Sequence, residues 1–401
     1  MSERTIFVVG TFDTKSAELG YMSDTLKRAG VAVKSIDLST SNDAATADVS
    51  SQSVAAFHPD GADSVFTGDR GTAVAGMALA FKIWTQKHVD DIGGMISAGG
   101  SGGTALVTPA LQALPIGTPK IMVSTVASGN VEPYVGPSDI MMMYSVTDVQ
   151  GLNAISRKVL GNAAAAMAGA ALHAPGVPND TGEKPGLGMT MFGVTTAAVQ
   201  AVIAKLSNEY EPFVFHATGV GGRSMEKLTD GGYFKAVMDL TTTEICDMLF
   251  DGVFAANEDR FGSIIRQRIP YVGSVGALDM VNFGAPPTVP PKYEGRLFYE
   301  HNPQVTLMRT TPGENAQMGQ WIANRLNMME GPVRFLLPLH GVSALDASDM
   351  PFNDQEARSS LFDAIKATFK ETEQRRLIEV PSHINSPQFC DAAVKALHDI
   401  T

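Results

Sequence analysis

The chain has 401 residues, of which 44% are hydrophobic and 18% are charged, a globular balance that excludes a disordered protein. The formal net charge of -12 argues against a nucleic acid partner, because phosphate contacts need a basic face. This length favours two domains.

The first half of the chain predicts strands that alternate with helices. Near-continuous apolar strands between helices are typical of a parallel sheet covered on both faces. The predicted strands are Thr5–Val9, Val31–Leu38, Gly94–Ala98, Lys120–Thr125 and Met141–Tyr144. The predicted helices are Ser16–Gly30, Ala73–Lys87, a segment that includes Pro109–Leu114, and a long helix from about Val149 to His173.

A stretch rich in proline and glycine, residues 174–188, indicates a linker. We predict an N-terminal α/β subdomain over residues 1–175, a linker over 176–188 and a C-terminal α/β subdomain over 189–401. In the latter, the predicted strands are Met189–Phe192, Pro212–His216, Tyr271–Ser274, Val305–Met308 and Arg334–Leu339, and the predicted helices are Ala198–Asn208 and one that Ser386 caps. The predicted fold class is α/β, with two Rossmann-like subdomains, mainly parallel sheets and helices on both faces.

No stretch approaches the ~20 apolar residues that a membrane span needs. The N-terminus, Met1–Arg4, leads into an apolar strand without the hydrophobic region of a signal peptide. Cys246 and Cys390 form neither a metal-spaced pair nor a disulfide framework. We therefore expect a cytoplasmic protein with no membrane partner.

The glycine-rich loop after the strand Gly94–Ala98 is the clearest candidate site. It comprises Gly99, Gly100, Ser101, Gly102, Gly103 and Thr104. Glycine permits close backbone approach, so several N–H groups can converge on an anion, and the following helix adds a partial positive charge. The loop matches neither the dinucleotide fingerprint nor the Walker pattern. The alternative is a tight turn selected for helix–sheet packing.

Two further loops follow strands and are predicted to line the same cleft. The first contains Gly10, Thr11, Phe12, Asp13, Thr14 and Lys15. It lacks the second glycine of a P-loop, which leaves hydroxyls and a lysine to face phosphate or ribose, or a helix cap by Asp13 or Thr14. The second contains Ser124, Thr125, Val126 and Gly129, and an ordinary loop is its alternative.

Two arginines next to glycines are further candidates. Arg70 in Gly68–Thr72 could pair with an anion, or with the neighbouring Asp69. Gly221, Gly222 and Arg223 combine a glycine turn with a guanidinium suited to phosphate or carboxylate. Their segment, Ala217–Met225, is similar to Ala98–Leu106, which indicates two similar domains and does not establish a duplication.

Candidate acid–base groups lie at or just beyond predicted strands. His340 and His216 end apolar strands, and histidine titrates near neutral pH. Acidic residues in similar positions could shuttle protons or be solvated loop acids: Glu314, Asp279, Asp346 and Asp349. No metal-ligand spacing is present, so we predict no metal site.

Four segments carry a resemblance to a known family: Gly10–Lys15, Ser97–Ala105, Met122–Asn130 and Tyr144–Val149. Through them the chain strongly resembles the bacterial and fungal proteins related to the ATP-binding N-terminal domain of the tomato mosaic virus resistance protein. The resemblance covers essentially the whole chain. It implies two α/β subdomains, a homodimer and ATP binding, with Mg²⁺ where a divalent ion accompanies the nucleotide. It supplies no established reaction, and we do not carry over the plant protein's antiviral role.

The first functional hypothesis is a cytoplasmic ATP-binding protein that holds phosphates on glycine-rich strand-to-helix loops. The second is a metabolite enzyme, a hydrolase or isomerase of a small phosphorylated or carboxylate substrate, acting in the interdomain cleft. The third is a binding or regulatory module without turnover.

Overall fold

A computed structural model describes residues 5–41, 46–173 and 184–401 of the chain. The chain divides into two compact units, Met1–Asn179 and Asp180–Thr401. The predicted linker lies outside the described residues up to position 183, and the strand that follows it begins at Gly186.

The first unit is built on a five-stranded sheet whose strands are all parallel. The strands are β1 (Thr5–Gly10), β2 (Val33–Asp37), β3 (Ile92–Gly99), β4 (Lys120–Ser124) and β5 (Met141–Tyr144). The helices are α1 (Phe12–Arg28), α2 (Ser51–Ala55), α3 (Arg70–Lys87), α4 (Ser101–Ala113), α5 (Glu132–Val135) and α6 (Ala154–His173). The strand order across the sheet is β2-β1-β3-β4-β5.

Alternate side chains of β1 lie on opposite faces of this sheet, because the side-chain period of a strand is two residues. Phe7 and Val9 pack in a cluster with residues of α3 and α4, whereas Ile6 and Val8 pack with residues of α1 and α6. Both faces are therefore covered by helices, and only the ends of the strands are open to loops.

The second unit has a six-stranded parallel sheet and a three-stranded antiparallel sheet. The strands are β6 (Gly186–Met191), β7 (Glu211–His216), β8 (Ala236–Thr241), β9 (Tyr271–Gly276), β10 (Met280–Phe283), β11 (Phe298–Asn302), β12 (Val305–Arg309), β13 (Val333–Pro338) and β14 (Arg375–Val380). The helices are α7 (Thr196–Leu206), α8 (Val220–Asp230), α9 (Glu244–Leu249), α10 (Gly262–Gln267), α11 (Pro312–Asn327), α12 (Gln355–Thr368) and α13 (Pro387–His398). The parallel sheet has the order β14-β13-β9-β8-β6-β7, and the antiparallel one β10-β12-β11.

The predicted fold class is confirmed, because both parallel sheets are flanked by helices. Counted in chain order, the first sheet runs 2-1-3-4-5 and the second 2-1-3-4-5-6. The antiparallel sheet was not predicted, and the expected strand Val305–Met308 belongs to it as β12. Helix α1 begins at Phe12, but its backbone is non-helical at Lys15, directly before the predicted start at Ser16. Helix α3 begins at Arg70 rather than Ala73, and α6 at Ala154 rather than Val149.

A buried arginine joins three elements of the second unit. The guanidinium of Arg260 contacts Glu226 on α8 at 3.1 Å, Asp239 on β8 at 2.7 Å and Glu244 on α9 at 3.1 Å. All four side chains are nearly inaccessible to solvent. Burial raises the pKa of Glu226 and of Glu244, although Arg260 opposes the shift in both carboxyls. The arginine therefore compensates several acids that would otherwise lie uncompensated in the core.

We predict that Arg260→Ala lowers the free energy of unfolding of the second unit by about 3–5 kcal/mol, because it leaves buried carboxylates without a counter-ion. Urea unfolding followed by circular dichroism measures this loss. The matched control is Arg266→Ala, which removes an exposed arginine paired with Asp230 and Asp259 and should cost less than about 1 kcal/mol. Equal losses in the two variants would contradict the prediction.

Candidate anion-binding site

The carboxyl ends of β1 and β3 form a topological switch point in the first unit. These strands are neighbours, and the chain continues from β1 to β2 on one side and from β3 to β4 on the other. In open α/β sheets, ligands bind in the crevice outside the strand ends at such a point. The loops that follow Gly10 and Gly99 flank this crevice, and the turn after Ser124 follows the next strand. The topology thus brings the three predicted loops to one edge.

The first turn of α4 offers unused backbone donors at this edge. In the part of the chain that the structure describes, the N–H groups of Gly100, Ser101, Gly102 and Gly103 donate no hydrogen bond. The first occupied amide is that of Thr104, which donates to the Gly100 carbonyl at 2.9 Å. Unpaired first-turn amides carry the positive end of the helix dipole. The glycine loop therefore presents consecutive donors to an anion.

The guanidinium of Arg70 lies beside these donors. Arg70 is the first residue of α3, and its Nη2 would lie 3.6 Å from a Cβ placed on Gly102. Its side chain is exposed and forms no ion pair with any described residue. The neighbouring Asp69 accepts instead from the Thr72 amide at 2.9 Å and caps α3, and this hydrogen bond lowers its pKa. A cation at a helix N-terminus is electrostatically unfavourable until an anion lies between them.

The start of α1 differs because its first amides are occupied. The Phe12 amide donates to Oδ1 of Asp37 at 3.0 Å, and the Asp13 amide donates to Oγ of Ser39 at 3.1 Å. Ser39 in turn donates to Oδ1 of Asp37, which is buried at the end of β2. The amides of Phe12 and Asp13 are thus already paired within the protein.

The side chains of this loop are tied to their surroundings. Lys15 Nζ donates to Oε1 of Gln150 at 3.0 Å, and the hydroxyls of Thr11 and Thr14 lie 2.9 Å apart. The sequence analysis did not single out three residues of this site: Asp37, Ser39 and Gln150. An acidic residue at the end of the second strand, such as Asp37, is a known feature of nucleotide-binding α/β folds. The contacts of Asp37 and Ser39 hold the short turn that precedes the non-helical backbone at Lys15.

Thr104 and Ser124 position the loops from inside. Both side chains are fully buried, and their hydroxyls lie 2.6 Å apart. The Thr104 hydroxyl donates to the Gly100 carbonyl at 2.8 Å, and the Val126 amide donates to Ser124 Oγ at 3.2 Å. Ligand contact by Thr104, Ser124, Thr125, Val126 and Gly129 stays a prediction. The observed hydrogen bonds give Thr104 and Ser124 a structural role in joining α4 to the end of β4.

The second glycine loop already holds an anion from its own chain. The amides of Gly219 and Gly222 donate to Oε1 of Glu244 at 2.6 and 3.0 Å. A Cβ on Gly221 would lie 1.7 Å from the His216 carbonyl oxygen, so packing alone requires glycine there. The predicted ligand contacts of Gly221, Gly222 and Arg223 stay predictions.

The two glycine loops are not equivalent in topology. The loop at Gly99 follows the third strand of its sheet, whereas the loop at Gly219 follows β7, the second strand and the sheet edge. The likeness between their sequences therefore does not mark corresponding positions in two copies of one domain.

The two predicted acid–base histidines do not come together. His340 follows β13 and His216 ends β7, and four strand spacings separate these strands, a distance of about 19 Å. Both histidines are exposed, and His216 stacks on Phe192. Glu314 lies in the first turn of α11, where Arg296 donates to both carboxylate oxygens and the Thr311 amide donates to Oε2. Burial acts to raise the pKa of Glu314, but these donors outweigh it and lower the pKa.

Asp279 is a buried acid between β9 and β10. Ser343 donates to its Oδ2 at 2.7 Å, while Oδ1 is buried without a hydrogen-bond partner among the described residues. Burial, reinforced by the charge of Asp346, raises the pKa of Asp279 to about 7. Asp346 itself accepts from Arg358 at 2.6 Å. Asp279 is therefore a proton-binding group near neutral pH, enclosed in the core.

The described ranges are residues 5–41, 46–173 and 184–401. No cluster of three or more His, Cys, Asp or Glu side chains there is arranged to hold a metal ion. None of the helices in these ranges has the length and apolar character to cross a membrane.

The chain matches family descriptions over nearly its whole length. Residues 4–175 match the N-terminal domain of uncharacterised protein family UPF0261, and residues 184–401 match the C-terminal domain of that family. The chain belongs to the UPF0261 family. A UPF0261 protein of Rhizobium meliloti is 52% identical over 398 residues, covering 99% of each chain. A UPF0261 protein of Clostridium tetani is 41% identical over 98% of each chain.

The tomato relatives confirm the resemblance inferred from the loops. The ToMV resistance protein Tm-1(GCR237) of Solanum lycopersicum is 42% identical over 99% of this UPF0261 chain and 56% of the tomato protein. The ToMV susceptible protein tm-1(GCR26) is also 42% identical over the same shares. Because resistance and susceptible proteins match equally well, the similarity does not track virus resistance.

We predict that the free energy of unfolding falls as the pH rises from about 4 to about 7, in part because of Asp279. In this range the folded protein keeps the Asp279 proton, whereas the unfolded chain, with an ordinary pKa, has lost it. Asp279→Asn should flatten the dependence by at most about 1.4 kcal/mol per pH unit, the contribution of one proton. Urea titrations at several pH values measure the slope. Asp349→Asn, at an exposed acid, should leave it unchanged.

Proposed function

We propose that this UPF0261 protein binds a nucleotide, ATP, with its phosphates on the first turn of α4 and against Arg70. One observation carries the proposal. Among the described residues, the amides of Gly100–Gly103 have no acceptor and Arg70 has no ion-pair partner, and these groups adjoin one another at a switch point between parallel strands. Backbone amides at a helix N-terminus and an arginine fork are both suited to phosphate oxygens.

The other side of the crevice does not favour a dinucleotide of the NAD type. In such folds an acidic residue at the end of the second strand binds the ribose hydroxyls. The corresponding Asp37 is 2% exposed and accepts from Phe12 and Ser39. We infer that the nucleoside extends instead towards the ends of β4 and β5.

The exposed residues at those ends are compatible with a nucleoside. Thr125 Oγ1 would lie 3.7 Å from a Cβ on Gly100, next to the phosphate donors. Tyr144 ends β5 with its side chain 44% exposed, which leaves an aromatic surface for stacking.

Magnesium would enter this site with the phosphates. Mg²⁺ is usually held by one or two carboxylates together with substrate phosphate oxygens. Asp13 follows β1 with an exposed side chain and would supply such a carboxylate. Its Oδ2 already accepts from Ser41 at 2.8 Å, so its orientation is partly set by the protein. The reaction of the alternative hypothesis, a hydrolase or isomerase, gains no support from Glu314, whose oxygens are occupied.

We predict that affinity falls in the order ATP, ADP, AMP, adenosine, because each removed phosphate takes away acceptors for the α4 amides and Arg70. Isothermal titration calorimetry with and without Mg²⁺ measures the series. Adenosine binding as tightly as ATP would refute the phosphate site.

We predict that Arg70→Ala weakens ATP binding by roughly tenfold, the scale of one charge-assisted hydrogen bond at an exposed site. The effect should shrink for adenosine, which has no phosphate. Arg28→Ala is the matched control, since Arg28 is exposed and lies at the far end of α1 from the carboxyl edge. An equal loss in both variants would show that general charge, and not Arg70, attracts the nucleotide.

A further inference from the structure

A groove of about 510 Å³ lies on the second unit, where the segment 286–291 faces β11 and β12. This volume falls in the range of small-molecule pockets. Phe298 and Glu300 alternate along β11 and so share one face, and Glu300 pairs with Thr306 across the two strands. The antiparallel sheet therefore forms one wall and the proline-rich segment the other.

The groove is largely apolar and poor in donors. Its walls include Pro286, Val289, Pro290 and Pro291, together with the ring of Phe298. Proline has no backbone N–H, so these residues give an anion nothing to bind. They do give an apolar body a rigid surface to pack against.

The polar groups of the groove are acceptors without partners. Glu294 and Glu300 are exposed and form no ion pair with a residue in the described ranges. Thr306 is 3% exposed, and its Oγ1 is buried with no hydrogen-bond partner there. A buried hydroxyl without a partner is unfavourable unless a ligand completes it.

The nearby cations are already engaged. Lys292 pairs with Asp251, and Arg296 pairs with Glu314 at 2.7 Å. The negative charge of the groove is thus not neutralised by the described part of the chain.

We propose that this groove binds an organic ammonium ion. The charged head lies between Glu294 and Glu300 and donates to Thr306 Oγ1, while the apolar body packs on the prolines and on Phe298. An anion would be repelled by the two carboxylates, and a neutral apolar ligand would offer them no donor in exchange for the water that it displaces. The proposal is independent of the nucleotide site, which belongs to the other unit.

The first test compares 2-phenylethylammonium with neutral 2-phenylethanol by NMR titration of the whole chain. The two probes have the same ring and chain length, so the difference between their affinities measures the contribution of the charge. We expect saturable binding of the ammonium ion at roughly tenfold higher affinity, weakened by raising NaCl from about 50 to 500 mM. Equal affinities, or no saturation by the ammonium ion, would overturn the proposal.

A second titrant, Nα-acetyl-lysine methylamide, distinguishes the source of the ammonium group. Tighter binding of the lysine compound than of 2-phenylethylammonium would indicate that the ligand of the groove is a lysine side chain of a partner protein. The reverse order assigns it to a free amine. Both orders support recognition of an ammonium ion.

Variants locate the binding in the groove. Glu294→Gln and Glu300→Gln should each weaken ammonium binding by roughly two- to fivefold, the range for exposed ion pairs. The control Glu258→Gln removes an equal charge at another exposed position and should change nothing. Thr306→Val should weaken binding without lowering Tm, because it deletes a hydroxyl that has no partner among the described residues of the free protein. Unchanged affinity in both glutamine variants would place the ammonium ion elsewhere and refute the proposal.

Discussion

Backbone N–H groups at the start of a helix need acceptors, and this requirement organises both units of the chain. In a parallel sheet, each helix that follows a strand begins near the carboxyl edge, so its unpaired amides accumulate there. The protein meets the requirement in different ways. Asp37 and Ser39 occupy the start of α1, and Glu244 occupies the start of α8. The amides at the start of α4 have no such acceptor among the described residues.

The contrast between α4 and α8 distinguishes a structural glycine loop from a candidate binding loop. At α8, the glycines allow close packing against the His216 carbonyl and the Glu244 carboxylate. At α4, a Cβ on Gly103 would meet open space, and one on Gly102 would approach only the end of the Arg70 side chain, whereas a Cβ on Gly99 would lie 3.3 Å from the Gly103 Cα. Neighbouring atoms therefore enforce glycine at Gly221 and Gly222, but they leave room for a side chain at Gly102 and Gly103.

Buried charge shapes the second unit in a different way. Glu244 both caps α8 and pairs with Arg260, which also contacts Glu226 and Asp239. Replacing one member of such a network leaves the others without compensation in a medium of low polarity. Two of the predicted acids of this unit, Glu314 and Asp346, likewise pair with arginines, Arg296 and Arg358.

The sequence by itself determined the α/β class, most strands of the parallel sheets and the family, because apolar periodicity and the loops at Gly10 and Gly99 are local signals. It did not predict the parallel strands β8 and β14. It also did not predict β10 and β11, since short strands in an antiparallel sheet depend on pairing with distant segments. Tertiary structure alone decided which glycine loop has backbone amides without an acceptor among the described residues. Glu244 lies 22 residues from Gly222, and Arg70 lies 32 residues from Gly102, so neither contact is visible in local spacing. Folding brings the carboxylate of Glu244 to the N-terminus of α8 and the guanidinium of Arg70 to the N-terminus of α4. Two loops of similar sequence therefore have side chains of opposite charge beside their backbone amides.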